Sequence, residues 1–237
     1  MFEEISNTVS SVEYPGRISI LDFFIAEESK MELIKEGAEA RTYRGSFFGI
    51  PAVFKIRVPK SYRHPEVDRR LVRMRLRNEA RALVLARKAG VRVPRLLFTL
   101  PSQGLLVMEE ARGERMSAVL SSLSEERMQE VLLDTGRQLA LLHKAGLTHG
   151  DLTTSNIIIP TAGPVIFIDL SMSLREANLE DMGVDWRLLK EAFISTHYEI
   201  VDALGMIRKG YLTEFPEGTS VLERAEEIEG RGRYHVG

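Results

Sequence analysis

Short apolar runs punctuated by turn residues fill positions 31–58 and read as strands. They are Met31–Ile34, then Thr42–Arg44, then Ala52–Ile56 after a turn at Gly45–Gly49. Positions 66–89 read as one long helix, opened by Pro65 and closed by Gly90. Val91–Phe98, broken at Val93 and Pro94, and Gly104–Met108 read as two further strands. The run Glu109–Gly113 then interrupts the pattern as a polar linker between two lobes would. From position 117 the chain is mainly helical. Ser124 offers an N-cap followed by Glu125 and Glu126, and the helix runs to Lys144 with Leu132, Leu133, Leu139, Leu141 and Leu142 on its apolar face. Gly146 ends it. Ile157–Ile159 and Val165–Ile168 read as a hairpin joined by Pro160–Pro164, and helices at 186–197 and 217–229 follow. Residues 1–30 are acidic and lack strong periodicity. Ile18–Ile25 within them fits a strand or a short amphipathic helix.

Composition narrows this picture. A chain of 237 residues, 44% apolar, can bury a full core as one domain or two small lobes. There are no cysteines, which excludes disulfides and Cys-based zinc sites. No apolar run reaches the ~18 residues a membrane span needs. Glu3 and Glu4 stand where a signal peptide carries positive charge, so a soluble intracellular protein without membrane attachment is expected. The net charge of -2 conceals a segregation. Residues 41–95 hold 16 Lys/Arg against three acids, a balance of +13, and the remainder carries -15. Such a split suits either a surface that meets a polyanion or pairing within the molecule.

One stretch carries chemistry: His149-Gly150-Asp151-Leu152-Thr153-Thr154-Ser155-Asn156, with Asp169 at the end of the next apolar run. Phosphoryl transfer from Mg·ATP uses a carboxylate for the acceptor's proton, and an amide and a second carboxylate for the metal. Antiparallel pairing of the predicted hairpin brings Asn156 and Asp169 to the same end. Lys55, alone in an apolar strand, needs a partner or an anionic ligand. Glu79, the only acid after Asp68 in the basic helix, is the candidate partner. Gly37 allows backbone to approach phosphate. Ala38 and Ala40 are small, whereas Glu39 is an unusual neighbour for a triphosphate. Backbone near Glu109 and Ala111 suits an adenine edge, with Met108 behind it. His149 reads as a packed imidazole that orders the loop.

The stretch resembles the H-R-D-x-x-x-x-N loop of protein kinases, with Gly150 in place of Arg. It is more similar still to the atypical, RIO-related kinase subunit of the KEOPS (EKC) complex. The strings that carry this are Gly37-Ala38-Glu39-Ala40-Arg41, Pro59–Pro65, Asn78–Arg81, the His149–Asn156 loop, Gly183-Val184-Asp185 and Gly230–Arg233. The resemblance covers about residues 31–237. It implies an α+β, bilobal kinase-like fold, with a small β-rich N-lobe holding one long helix and a reduced, mainly helical C-lobe. It implies Asp151, Lys55 and Glu79 as catalytic residues. ATP would be bound by Ile34, Gly37, Ala38, Glu39, Ala40, Lys55, Met108, Glu109 and Ala111, and Mg2+ by Asn156 and Asp169. His149 and Asp185 would support the site. The activity implied is ATP use in support of threonylcarbamoylation of adenosine in tRNA. The implied partners are other KEOPS subunits, chiefly the threonylcarbamoyltransferase subunit and a small bridging subunit. The setting would be cytoplasmic, and also nuclear in a eukaryote. Arg69, Arg73, Arg75, Arg77, Arg231 and Arg233 would face tRNA.

Departures from the kinase pattern sharpen this. Asp169-Leu170-Ser171 replaces D-F-G, and Ser171 removes a residue free to take positive φ. Thr153 stands where many Ser/Thr kinases carry a Lys. Only 15 residues separate Asp169 from Asp185, and no A-P-E string occurs, so a long activation segment does not fit. Two other readings stay open. One is a small-molecule phosphotransferase of aminoglycoside or choline kinase type, and the other a non-catalytic nucleotide-binding scaffold. The division expected is 1–30 as an extension, 31–110 as N-lobe, 111–229 as C-lobe and 230–237 as a basic tail.

Overall fold

The computed structural model describes residues 31–37, 40–57 and 64–233. Contacts divide these into two units. The first runs up to Leu76 and includes Leu96–Glu110, and the second joins Arg77–Arg95 to everything from Ala111 onward.

The first unit is an antiparallel sheet of β1 (Glu32–Glu36), β2 (Ala40–Phe47), β3 (Ile50–Arg57), β4 (Leu96–Leu100) and β5 (Leu105–Glu109), in the order β1-β2-β3-β5-β4. The reversal between β2 and β3 is tighter than the expected turn at Gly45–Gly49. Phe47 pairs with Ile50, and only Phe48 (φ 50°) and Gly49 (φ 80°) form the bend. Gly45 therefore lies inside a strand, where a Cβ would touch the Met31 and Phe54 side chains at 3.2 Å. Period-two alternation sends Ala52, Phe54 and Ile56 into an apolar cluster with Phe47, Leu105 and Val107. Lys55 is thereby held on the opposite face of β3. The strand expected at Val91–Phe98 starts later, at Leu96. Residues 91–95 are irregular, with Pro94 lacking the N–H a ladder requires.

Helix α1 (Pro65–Lys88) is split between the units at Leu76/Arg77. Its inward face buries Asp68, Leu76, Glu79, Ala82, Leu83 and Ala86.

The second unit continues with β6 (Glu114–Arg115), α2 (Met116–Val119), α3 (Glu125–Lys144), β7 (Ile157–Ile159) and β8 (Ile166–Phe167). Helices α4 (Leu179–Thr196), α5 (Leu204–Glu214) and α6 (Thr219–Arg233) follow. Strands β6, β7 and β8 form a small antiparallel sheet. The Ser124 side chain caps α3 by accepting from the Arg127 N–H. Asn178 and Asp181 form a reciprocal capping box at the start of α4. That cap starts α4 seven residues earlier than the helix expected at 186, so Asp185 lies inside it and is buried. Helix α5 was not foreseen. Helix α6 runs past 229 through Arg233, so residues 230–233 are helical where a tail was expected.

Helices α3 and α5 pack through two glycines. A Cβ on Gly136 would stand 1.9 Å from the Ile207 carbonyl oxygen, and one on Gly210 would stand 1.9 Å from that of Leu133. The two backbones meet at a distance no other residue type permits.

Candidate catalytic site

The loop between α3 and β7 is assembled by three sets of bonds. The first comes from α4. The Asp185 carboxylate accepts the His149 N–H at 2.6 Å and the Gly150 N–H at 2.8 Å. The second comes from His149, which is fully buried. Its Nε2 lies 3.0 Å from the Ile168 carbonyl, which can only accept, so Nε2 carries the proton. Nδ1 then accepts the Asp151 N–H at 3.4 Å. The imidazole thus ties the residue before Asp169 to the backbone of Asp151. The third set is Asn156, whose Nδ2 donates to the Asp151 carbonyl at 2.8 Å and to Asp151 Oδ2 at 3.1 Å.

The hairpin supplies the second acid. Ile157 pairs with Phe167, and the Ile168 N–H donates to the Asn156 carbonyl at 2.9 Å, so Asn156 and Asp169 emerge at the same end. Asp169 has φ 65°. A left-handed Asp is uncommon though better tolerated than most residues, and such strain concentrates at functional sites. The demand for positive φ thus falls on Asp169. Ser171 is not among the left-handed residues, so its replacement of Gly imposes no backbone penalty in this conformation. Gly150 does need to be glycine. Its φ is 81°, and a Cβ would fall 2.2 Å from the Met172 carbonyl oxygen. The arginine usual in kinases cannot stand there.

The segment after Asp169 is short and folded back. The Thr148 N–H donates to the Leu174 carbonyl, the Leu174 N–H to Thr148 Oγ1, and the Ala177 N–H to the Gly146 carbonyl. Leu147 also bridges Arg175.

Several residues that sequence reasoning passed over support this frame. The Arg115 guanidinium donates to the Ser155 carbonyl. Arg127 donates to the Pro160 and Gly163 carbonyls at 3.0 and 3.2 Å, fixing the hairpin turn. Asp134 accepts the Val165 N–H at 2.7 Å. Arg127 and Asp134 stand seven residues apart on one face of α3, a spacing that could have marked them. His143 and Tyr211, both buried, extend the bonds of Asp185 inward.

The other expected site residues fall as follows. Lys55 lies in the first unit and buried Glu79 in the second. Ile34 is exposed on β1, the Gly37 N–H donates to the Ala40 carbonyl at 2.9 Å, and Met108 is buried at the end of β5. Glu109 and Ala111 are half-buried. Ala38 and Glu39, residues 1–30, most of the Pro59–Pro65 string and the Arg233 side chain lie outside the described residues. Arg69, Arg73 and Arg77 are exposed on α1, together with Arg70 and Arg81. Arg75 departs from the expected set. It points to another face of the helix, about 160° from Arg77 at 100° per residue, and is half-buried with a partner. Arg231 sits on α6 with Glu180 and Glu227 each 3.9 Å away.

The donor set suits a hard cation. Asn156 commits its amide nitrogen to Asp151, and its Oδ1 takes no hydrogen bond from a described residue. An amide oxygen and a carboxylate are ligands of the kind Mg2+ accepts while keeping waters and phosphate oxygens.

Burial lowers the His149 pKa below 6.5, a shift that the Asp185 charge, the Ile168 carbonyl, Asp169 and Asp151 oppose without cancelling. Burial raises Asp185, but the His143 hydrogen bond and charge, followed by those of His149, hold it below 3.8. Both folded pKa values are depressed, so both groups favour folding above their unfolded values and cease to as pH falls. The melting temperature is expected to drop in two stages on acidification, first below 6.5 and again below 3.8. Buried His197, also depressed by burial, adds to the first stage. His149→Gln should shrink that stage. A melting temperature flat from about pH 7 to about pH 5 would contradict the linkage.

Comparison with known proteins follows the same lines. The RIO domain family model matches residues 54–193. The chain is 40% identical over 213 residues to the KEOPS complex subunit Bud32 of Pyrococcus abyssi, covering 86% of this chain and 96% of that one. It is 40% identical to the EKC/KEOPS complex subunit Tp53rkb of Mus musculus, covering 86% and 88%. It is 39% identical to a probable bifunctional tRNA threonylcarbamoyladenosine biosynthesis protein of Methanothermobacter thermautotrophicus, of which it spans 36%.

Proposed function

From a chain that belongs to the RIO-domain family of KEOPS Bud32 subunits, we propose an atypical kinase or ATPase. It uses Mg·ATP to support formation of threonylcarbamoyladenosine in tRNA. The observation that carries the reading is the loop itself. One buried carboxylate, Asp185, and one neutral imidazole, His149, hold Asp151, Asn156 and the approach to Asp169 in a single hydrogen-bonded frame.

In this reading Asp151 orients and deprotonates the attacking hydroxyl or water. Asn156 and the Asp169 carboxylate would hold Mg2+, which would offset charge on the phosphates. Lys55 contacts the phosphates, and Glu79 is its partner. Gly37–Ala40 and the backbone near Glu109 and Ala111 take the nucleotide, with Ile34 and Met108 beside the base. The short segment from Leu170 to Asn178, bonded back to 146–148, leaves no long platform for a peptide. This favours water, or a hydroxyl presented by a partner, as acceptor. The partners are the other KEOPS subunits, chiefly the threonylcarbamoyltransferase and a small bridging subunit. A cytoplasmic setting follows from the tRNA-modifying role proposed; among the described residues no helix is long and apolar enough to cross a membrane.

The exposed face of α1 carries Arg70, Arg73, Arg77 and Arg81 at spacings of three and four, one stripe suited to a phosphate backbone. ATP hydrolysis should be measured with and without tRNA and partner subunits. Hydrolysis that tRNA stimulates is expected. Charge reversal at Arg73 and Arg77 should weaken tRNA binding and flatten its salt dependence, while reversal of half-buried Arg75 should mainly harm folding. A chain that never hydrolyses ATP under these conditions sinks the enzymatic reading. Reversal without effect on tRNA affinity leaves the stripe a solvated face.

A further inference from the structure

Asp185 does not hold the catalytic loop unaided. Its Oδ2, which accepts the His149 N–H, also lies 3.3 Å from His143 Nε2. The other nitrogen of that ring, Nδ1, lies 2.8 Å from the Tyr211 hydroxyl. Four residues on three elements, α3, α4 and α5 with the loop, thus form one buried chain of hydrogen bonds. Tyr211, Asp185, His143 and His149 are each no more than 1% exposed.

The direction of the chain follows from its ends. A carboxylate only accepts, so His143 Nε2 carries a proton. In a neutral ring Nδ1 is then a bare acceptor, and the Tyr211 O–H is the donor that meets it. Burial and the Asp185 charge both push the Tyr211 phenol up, which keeps it protonated as a donor. We propose that Tyr211 is a positioning residue for the phosphoryl-transfer site. By donating to His143 Nδ1 it selects the Nε2–H tautomer, and this lets Asp185 clamp the His149 and Gly150 amides.

The fold is arranged to deliver that hydroxyl. Gly136 stands seven residues before His143 on the same face of α3. A Cβ there would meet the Ile207 oxygen at 1.9 Å and the Tyr211 nitrogen at 2.6 Å. The absence of that Cβ sets the Tyr211 backbone against the helix two turns, about 10 Å, below the imidazole it serves. The phenol ring is then fixed from several sides. It packs edge-on to His143 with centroids 5.6 Å apart, against Phe215 at 5.9 Å and tilted against Trp186 at 5.3 Å. Gly218, where a Cβ would be 2.5 Å from the ring, leaves room for it. Without the hydroxyl only the 3.3 Å contact with Asp185 is left to favour the Nε2–H tautomer of His143. The Nδ1–H form would turn a lone pair toward Asp185 and weaken the clamp.

The inference rests on the ATP-using reading for its kinetic test but not for its spectroscopic one. In the full chain with 15N-labelled histidine, the His143 ring should show the Nε2–H tautomer, and Tyr211→Phe should shift or mix it. An Nδ1–H or doubly protonated ring in the wild type overturns the proposal even if the protein proves inactive. In ATP hydrolysis, Tyr211→Phe should lower kcat about tenfold while KM for ATP stays within about twofold, because no nucleotide-contacting group is altered. His143→Gln can point only its amide nitrogen at Asp185, and so should make Tyr211 dispensable. In that background Tyr211→Phe should cost less than about twofold. An undiminished loss there, or a raised KM with unchanged kcat, assigns Tyr211 a packing role only. If the wild type fails to hydrolyse ATP, the enzymatic reading falls, and the histidine spectra alone decide this one.

Discussion

Asp151→Asn is expected to reduce ATP hydrolysis by about 10²–10⁴-fold, the span that general base catalysis contributes. The substitution is close to isosteric and tests charge and proton acceptance more than shape. The loop is held mainly through groups it leaves in place. These are the Asp151 carbonyl bonded to Asn156 Nδ2, the Asp151 N–H bonded to His149, and the Asp185 clamp on His149 and Gly150. Only the 3.1 Å contact of Oδ2 with Asn156 involves the altered group, and an Asn oxygen can still accept there. The melting temperature should therefore stay close to that of the wild type, and nucleotide affinity should change little. Asp169→Asn should differ in kind. It weakens the proposed metal ligand, so part of its loss should be recovered at raised Mg2+, whereas that of Asp151→Asn should not. A variant with Asn at 151 that hydrolyses ATP as fast as the wild type removes Asp151 from the chemistry.

The largest effect on stability is expected at Gly136. Gly136→Ala places a methyl group 1.9 Å from the Ile207 carbonyl oxygen and 2.6 Å from the Tyr211 nitrogen. Both are backbone atoms of α5 and cannot swing aside as a side chain could. Helices α3 and α5 must separate or slide. Either movement disturbs Leu132, Leu139, Leu142, Ile207 and Tyr211, all fully buried. Overpacking of this kind costs about 3 kcal/mol or more, against which alanine's better helix propensity returns at most about 1 kcal/mol. For a chain of this size the net loss corresponds to a fall in melting temperature of roughly 4–8 °C or more. Gly210→Ala, facing the Leu133 carbonyl oxygen at 1.9 Å, should behave alike. Gly205→Ala is the control on the same helix. Nothing lies within 4 Å of its Cβ position, so the change should be neutral or stabilise by up to about 1 kcal/mol. If Gly136→Ala melts like the wild type, the helices do not approach as closely as described.

Much of the first unit was legible because period-two patterning and turn residues act locally. Ala52, Phe54 and Ile56 point one way and Lys55 the other on alternation alone. The long basic helix was bounded correctly by Pro65 and Gly90, since capping chemistry depends on residues a few positions apart. Elsewhere local signals conflict with the tertiary structure. Gly45 looked like a turn but sits in β2, where a Cβ would press on the Met31 and Phe54 side chains at 3.2 Å. Helix α4 was started too late because the Asn178–Asp181 capping box was passed over. The 3.6-residue period of α1 separates Arg75 from Arg73 and Arg77.

The order of groups in the phosphoryl-transfer stretch was set by the sequence alone. Asp151, Asn156 five residues on, and Asp169 after an apolar hairpin specify two acids and an amide, and antiparallel pairing brings the last two to one end whatever surrounds them. The shortness of the segment after Asp169 was also plain from the count of residues. Tertiary structure decided what holds those groups still. Asp185 reaches His149 and Gly150 across 35 residues or more of chain, and Tyr211 reaches His143 across 68. The left-handed turn falls on Asp169 and not on Ser171. The Tyr211–His143 contact depends on how closely α3 and α5 approach, and that distance is set by Gly136 and Gly210, whose significance is a missing atom that no local pattern reveals.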